Sequence, residues 1–250
     1  MESKPGVTKE NERVVTAREV AKMIDHALLR PELTVDEVIE GCRLAAENDV
    51  ASVCVRPCDV PLAKDILCGT NVAVTTVVGF PHGSHTTPVK VTEAREAIRA
   101  GVAELDMVLN IGRLRSHDYG YVERDIKAVV DAAHERRVIV KVILENSYLS
   151  DDLKRRACQI CERAGADFIK TSTGFAAGGA TLADICLMRE AAGSQVRIKA
   201  AGSVCSLDRA LAARRAGAVR LGTSSTRQIL DEARAREVAA ALCLNNQETS

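Results

Sequence analysis

The chain has 250 residues, 46% of them hydrophobic, and its 34 basic side chains balance 34 acidic ones for a formal net charge of zero. That length fits one large domain or two small ones. The balanced charge excludes a nucleic-acid binder or a membrane-surface protein, which would carry a basic excess or stripe, and no apolar run approaches the roughly 20 residues that span a bilayer. Aromatic residues make up 2% and Trp is absent, which excludes aromatic base-stacking surfaces and carbohydrate platforms and leaves a core of Val, Ile, Leu and Ala. The first residues, MESKPGVTKENERVV, lack the apolar core of a signal peptide, so a cytoplasmic protein is expected. The nine cysteines are odd in number and irregularly spaced, and read as reduced thiols rather than a disulfide framework.

In chain order, a flexible tail is expected over 1–16, an α/β barrel over 17–243 and a second tail over 244–250. Short Val- and Ile-rich runs predict strands at 23–29, 51–55, 72–79, 104–110, 138–145, 167–172, 196–201 and 218–223. Between them, helical periodicity predicts helices at 35–48, 89–100, 121–136, 151–164, 182–192 and 207–216. Eight strands alternating with helices without a break in composition point to parallel β/α units closing as a single-domain (β/α)8 TIM barrel. The competing doubly wound open sheet lacks support, since no strand leads into a G-x-G-x-x-G fingerprint or a P-loop. Three helices end in nearly the same words, Arg99-Ala-Gly-Val, Arg163-Ala-Gly-Ala and Arg215-Ala-Gly-Ala, where glycine can supply the left-handed turn that stops a helix. Cys158 and Cys161, a C-x-x-C pair without a second pair to complete a zinc site, read as small apolar residues on one helix face.

Counting seven residues on from each Arg of this repeat gives Asp106, Lys170 and Gly222, and the related endings AENDVASVC and AHERRVIVK give Cys54 and Lys141. These positions are expected at comparable height near the carboxyl ends of the strands, the active face of a barrel. Of ten lysines, three stand inside strands: Lys141, Lys170 and Lys199. One such lysine could snorkel to the rim, but three on consecutive strands, with Asp106 on the strand before, point to chemistry. A nucleophilic lysine must be neutral, and apolar burial beside a second ammonium pushes it there. Lys170 and Lys199 lie on adjacent strands about 4.8 Å apart, so one of the two is expected to give up its proton, and Asp106 supplies a carboxylate for proton transfer. This is the logic of a metal-free class I aldolase. The four residues carry a formal +2, which suits a small dianion.

Phosphate capture is the second signal. The loops Thr171–Thr181, Ala201–Val204 and Gly222–Thr226 are rich in Gly, Ser and Thr, and the last loops of a barrel often hold phosphate with a following helix N-terminus. The candidate ligands are Thr173, Gly174, Gly202, Ser203, Gly222, Ser224 and Ser225. His82 and His85 read as loop residues, and the five histidines show no metal-ligand spacing, so neither metal nor cofactor is expected.

From about Ile24 to Ser225 the chain resembles the deoxyribose-phosphate aldolase (DeoC) family. The motifs are Ile24-Asp-His-Ala-Leu-Leu-Arg-Pro31, Val78-Gly-Phe-Pro-His-Gly83, Glu104-Leu-Asp-Met-Val-Leu-Asn110, Lys141-Val-Ile-Leu-Glu145, Gly165-Ala-Asp-Phe-Ile-Lys-Thr-Ser-Thr-Gly-Phe175 and Ile198-Lys-Ala-Ala-Gly202. The resemblance implies a barrel that reversibly cleaves 2-deoxy-D-ribose 5-phosphate to glyceraldehyde 3-phosphate and acetaldehyde. It also implies the Schiff base on Lys170, Lys199 as the neighbour that lowers its pKa, Asp106 as proton relay, and Lys141 and Asp25 as supporting groups. Cys54 matches a cysteine near the family's site, though a small buried apolar role is equally open. Three departures stand out: Ala27 where the family usually has Thr, Gly202-Ser-Val-Cys205 where it has Gly-Gly-(Val/Ile)-Arg, and an ending, Asn245–Ser250, without the tyrosine that some members carry. A Schiff-base aldolase for another phosphorylated sugar, a non-catalytic sugar-phosphate-binding barrel or a metal-free isomerase, and, less well supported, a metal-dependent aldolase are the alternatives. A homodimer is expected only as barrels commonly pair through exposed helices, with no surface singled out.

Overall fold

The apolar runs form strands because most of their residues are buried on both faces, those at 52–55 and 104–108 at every position, while the run at 218–223 leaves Val219 exposed. A computed structural model describes residues 15–248, with side chains placed through Ala241. Its strands are β1 (Ile24–Leu28), β2 (Ser52–Val55), β3 (Ala73–Val78), β4 (Glu104–Val108), β5 (Ile139–Ile143), β6 (Phe168–Lys170), β7 (Arg197–Ala201) and β8 (Ala218–Thr223). All pair in parallel, in sequence order, and β8 returns to β1 to close the barrel. One inward set of side chains fills the barrel and the outward set packs under the helices, the arrangement that parallel sheets require. The expected (β/α)8 barrel is the fold, in one domain, and the open doubly wound sheet does not occur.

The helices are α1 (Ala17–Ala21), α2 (Val35–Glu47), α3 (Val60–Ile66), α4 (Thr87–Arg99), α5 (Ile111–Arg115), α6 (Tyr119–His134), α7 (Asp151–Arg163), α8 (Leu182–Ala191), α9 (Leu207–Arg215) and α10 (Thr226–Glu248). Six match the periodic segments to within two residues. The three not anticipated among the short ones, α1, α3 and α5, have too few residues for a periodic signal. Side-chain caps fix the starts: Thr16 and Thr34 form capping boxes with Glu19 and Glu37, and Asp118, Ser150, Thr181 and Ser206 accept from the first turn of α6, α7, α8 and α9. At the other ends, Gly101, Gly165 and Gly217 of the repeated Arg-Ala-Gly endings adopt φ of 92°, 82° and 110°, the left-handed turn expected of them. The expected tail over 1–16 lies outside the described residues except Val15 and Thr16, and the boundary expected at 243/244 falls inside α10, which runs on to Glu248. Cys158 and Cys161 are buried in α7, as expected, and burial pushes the Cys158 thiol up to about 12. The eight cysteines with described side chains are all free.

One lysine on a helix, Lys90, breaks the simple division between strand and surface lysines. It is fully buried between α4 and α6, where its Nζ donates to Asp125 Oδ2 (2.6 Å) and to the Val108 carbonyl at the end of β4 (2.9 Å). Asp125 also accepts from Thr87 Oγ1 (2.7 Å), so both charges are hydrogen-bonded as well as paired. Removing one partner of such a pair strands the other charge in the core, whereas apolar replacement of both is tolerated. Asp125→Ala is therefore expected to cost about 3–5 kcal/mol in urea unfolding. The double change Lys90→Met/Asp125→Leu should recover most of that loss, and a double variant no more stable than the single would contradict the account.

Candidate active site

Strand register sets out the charged side chains. Asp106 pairs with Lys141, and Lys170 with Lys199, but Lys141 faces Phe168 and Lys170 faces Ile143, two residues farther along. The even height expected from the repeat thus holds within each pair and steps up between β5 and β6. Lys199 pairs with Arg220, while Gly222 sits between Ala201 and Asp25. A side chain at Gly222 is excluded by contact, since a Cβ there would lie 2.9 Å from Ala201 Cβ and 3.4 Å from Lys199 Cε.

Inside the barrel these residues form one buried ion network. Lys170 Nζ reaches a single carboxylate, Asp106 Oδ2 (2.7 Å). Lys199 reaches two, Asp106 Oδ2 (2.7 Å) and Asp25 Oδ2 (2.5 Å). Lys141 reaches three, Glu104 (2.5 Å), Asp106 Oδ1 (2.8 Å) and Asp25 (3.6 Å). Arg220 closes the bottom of the network on Asp25, Glu104 (3.0 Å) and Ser52 (3.2 Å). Burial is the largest influence on every member and favours the neutral form; the partners oppose it. For Lys141, Lys199 and Arg220 the carboxylates win and the pKa is raised. For Lys170, burial and the neighbouring Lys199 charge outweigh Asp106 and the pKa is lowered. The ammonium groups in turn hold Asp106 well below the carboxylate range, and Asp25 and Glu104 below it, against the pull of burial. The strand pattern left open which of the paired lysines yields its proton and the resemblance implied Lys170; Lys170 is the one with fewer carboxylate partners and the one whose pKa is lowered. The formal +2 is corrected too: Arg220, Asp25 and Glu104 belong to the cluster, so four cations face three carboxylates, a formal +1.

Above the network lies a cavity of about 290 Å³ at the carboxyl end of the barrel. Asp25, Cys54, Lys170 and Lys199 line its floor, and Thr173, Gly174, Gly202, Ser203, Gly222, Ser224 and Ser225 line its wall. Asp106 and Lys141 are beneath the floor and fully buried. The Cys54 thiol is pushed up to about 11, by burial and by the Asp106 charge, and stays protonated. Two wall residues differ from expectation in their donors. The Thr173 N–H (3.1 Å) and hydroxyl both donate to Glu145, and the Ser225 N–H donates to Thr223 Oγ1 (2.9 Å), so these groups hold the loops rather than await an anion. Ser203 adopts a left-handed φ of 64°, and its loop packs against Gly179, whose position admits no Cβ beside the Gly202 carbonyl. Behind the last loop, buried His26, pulled down to about 4 by desolvation, meets Thr226 Oγ1 through Nδ1 (2.9 Å) and ties β1 to the start of α10.

A family model for DeoC/LacD family aldolases matches residues 19–232. The chain belongs to that family. A deoxyribose-phosphate aldolase from Caldanaerobacter subterraneus is 50% identical over 214 residues, 85% of this chain and 93% of the relative. One from Clostridium perfringens is 49% identical over 209 residues, 84% of this chain and 93% of the relative. The solved deoxyribose phosphate aldolase of Aeropyrum pernix, described as tetrameric, superimposes with a TM-score of 0.81 at 30% identity, over 86% of this chain and 91% of its own. Of the three departures from the DeoC pattern, Ala27 and Cys205 both line the cavity. The third concerns residues 245–250, whose side chains lie outside those described.

Glu104 and Arg220 were missed by the sequence reading, although each stands two residues before a site position and so on the same strand face, as period-two alternation allows. Glu145 and its hold on Thr173 carry no such signal, because they depend on how two loops meet. Two outcomes are expected. Lys199→Leu removes a positive charge that disfavours Lys170-ammonium, so the Lys170 pKa rises; borohydride trapping of a carbonyl probe on Lys170 should then begin about one to two pH units higher, at an effective dielectric constant of about 20. An unmoved or lowered midpoint contradicts the network. Ser203→Gly should stabilise the protein by about 0.5–1 kcal/mol in urea unfolding, since relief of the left-handed conformation exceeds the added unfolded-state entropy; a loss of stability contradicts that.

Proposed function

We propose that this chain is a class I aldolase that forms a Schiff base on Lys170 and reversibly cleaves 2-deoxy-D-ribose 5-phosphate to D-glyceraldehyde 3-phosphate and acetaldehyde. The observation that carries it is Lys170 itself: a buried amine at the cavity floor, sharing its one carboxylate with two other ammonium groups that keep their protons. The neutral amine adds to the open-chain aldehyde carbon C1, and loss of water from the carbinolamine leaves an iminium. A base takes the proton of the C3 hydroxyl, the C2–C3 bond breaks, and its electron pair moves into the iminium to give an enamine, releasing glyceraldehyde 3-phosphate. Protonation at C2 and hydrolysis return acetaldehyde and the free amine. Asp106, between the three amines, is the proton relay in this scheme; Lys199 is the charge that keeps Lys170 neutral; Lys141 and Asp25 hold the network.

The phosphate end fits the loops at Gly174, Gly202, Ser203, Gly222 and Ser224, with Ser225 offering its hydroxyl alone; α9 and α10 begin soon after the cavity wall, and helix N-termini favour an anion. Run in the cleavage direction, the reaction belongs to cytoplasmic breakdown of deoxyribonucleotide sugars, a setting in keeping with the free thiols. No helix among the described residues is long and apolar enough to cross a membrane. Self-association, as a homodimer, is part of the same proposal.

The test is borohydride reduction in the presence of deoxyribose 5-phosphate or acetaldehyde. A mass increment on the Lys170 peptide, absent in Lys170→Ala, together with turnover that survives chelators, is the expected result. Turnover that persists in Lys170→Ala would remove the Schiff-base mechanism, and an adduct without cleavage of this ester would point to another phosphorylated sugar.

A further inference from the structure

Arg30 lines the cavity with Gly202–Cys205 and Gly222–Ser225, yet belongs to no part of the buried network. It stands on the loop between β1 and α2, and because β1 pairs with β8 (Asp25 with Gly222, His26 with Thr223) that loop neighbours the one that opens α10. The backbone beneath it is pinned. The Arg56 guanidinium donates to the Pro31 carbonyl (3.0 Å) and the Arg30 carbonyl (3.4 Å), and is itself fixed by Asp59 (2.6 Å). The Arg30 head is free by contrast: its side chain is 64% exposed, and it pairs at 3.2 Å with Glu32, which is 63% exposed. A pair between two solvated side chains holds weakly and yields to a better partner.

Charge accounting gives that freedom a purpose. Beneath the cavity the cations are matched by carboxylates once Lys170 is neutral, and Lys199, the other cation at the floor, is taken by Asp25 and Asp106. A dianionic phosphate ester entering this cavity therefore meets one cation at the wall whose charge is not committed inside the protein, Arg30. Arg209 also reaches the phosphate-side loops, but its Nη1 donates to the Ser203 carbonyl (2.7 Å) and it lines a separate cleft between α8 and α9. A planar guanidinium suits phosphate through paired N–H donors.

We propose that Arg30 is the phosphate-binding cation of this site, exchanging Glu32 for the substrate's phosphate; the assignment rests on the sugar-phosphate reading above. The test compares wild type, Arg30→Ala, Arg30→Lys and Arg209→Ala on deoxyribose 5-phosphate and on unphosphorylated 2-deoxyribose. Arg30→Ala should lose about tenfold or more in kcat/KM on the ester, mainly through KM, and stay within about twofold on the free sugar, with Arg30→Lys recovering part. Acetaldehyde trapping on Lys170 should be unchanged. Equal losses on both substrates, no loss on either, or discrimination lost in Arg209→Ala instead would overturn the assignment. Calorimetry with inorganic phosphate separates the two proposals: failure of the wild type to cleave the ester would defeat the activity, while phosphate affinity equal in wild type and Arg30→Ala would defeat the role of Arg30.

Discussion

Three ammonium groups share Asp106, and a single carboxylate cannot stabilise all of them in the protonated form inside a barrel. Desolvation makes an unpaired buried charge so costly that the group neutralises instead. The proton is lost where compensation is poorest. Lys141 has three carboxylates within ion-pair reach, Lys199 has two and Lys170 has one, although all three are buried almost completely. In the proposed scheme the nucleophile is thus chosen by the distribution of acids around equally buried bases: Lys170 and Lys199 both line the cavity floor, and Lys170 is the one with the fewer carboxylates.

That distribution depends on the fold more than on any local sequence. Asp25 and Arg220 are 195 residues apart and Asp106 and Lys199 are 93 apart, yet closure of the barrel makes each pair direct contacts. Parallel strands deliver one side chain every second residue to the interior, so residues two apart on a strand, such as Glu104 and Asp106, fall on successive layers. Outside the barrel, Lys90 and Asp125 hold the end of β4 just past Asp106, through the Val108 carbonyl.

Much of this was legible in the sequence because it rests on period and residue type. Apolar runs and helical periods gave eight strands and six of the seven longer helices, α10 being the exception, and lysines inside Val- and Ile-rich strands marked the chemistry. What was hidden depends on tertiary placement. Glu104 sits at the first residue of its strand and Arg220 in the middle of an ordinary-looking one, so neither declared itself as a partner. Lys90 lay on an amphipathic helix and resembled a solvated residue until the packing of α4 on α6 enclosed it. Thr173 and Ser225 had the composition of anion-binding loops, but their N–H groups are spent on Glu145 and Thr223. The net charge of zero concealed a cluster of four cations and three carboxylates, a formal +1 and not the +2 that three lysines and one aspartate suggest.

The most direct measurement is a site-resolved NMR titration of the lysine Nζ groups, with Lys170, Lys199 and Lys141 assigned by single substitution. The account predicts that Lys170 loses its proton below the ordinary lysine value of 10.5 while Lys199 and Lys141 keep theirs above it. Lys199 titrating first, or Lys170 titrating at or above 10.5, would contradict it.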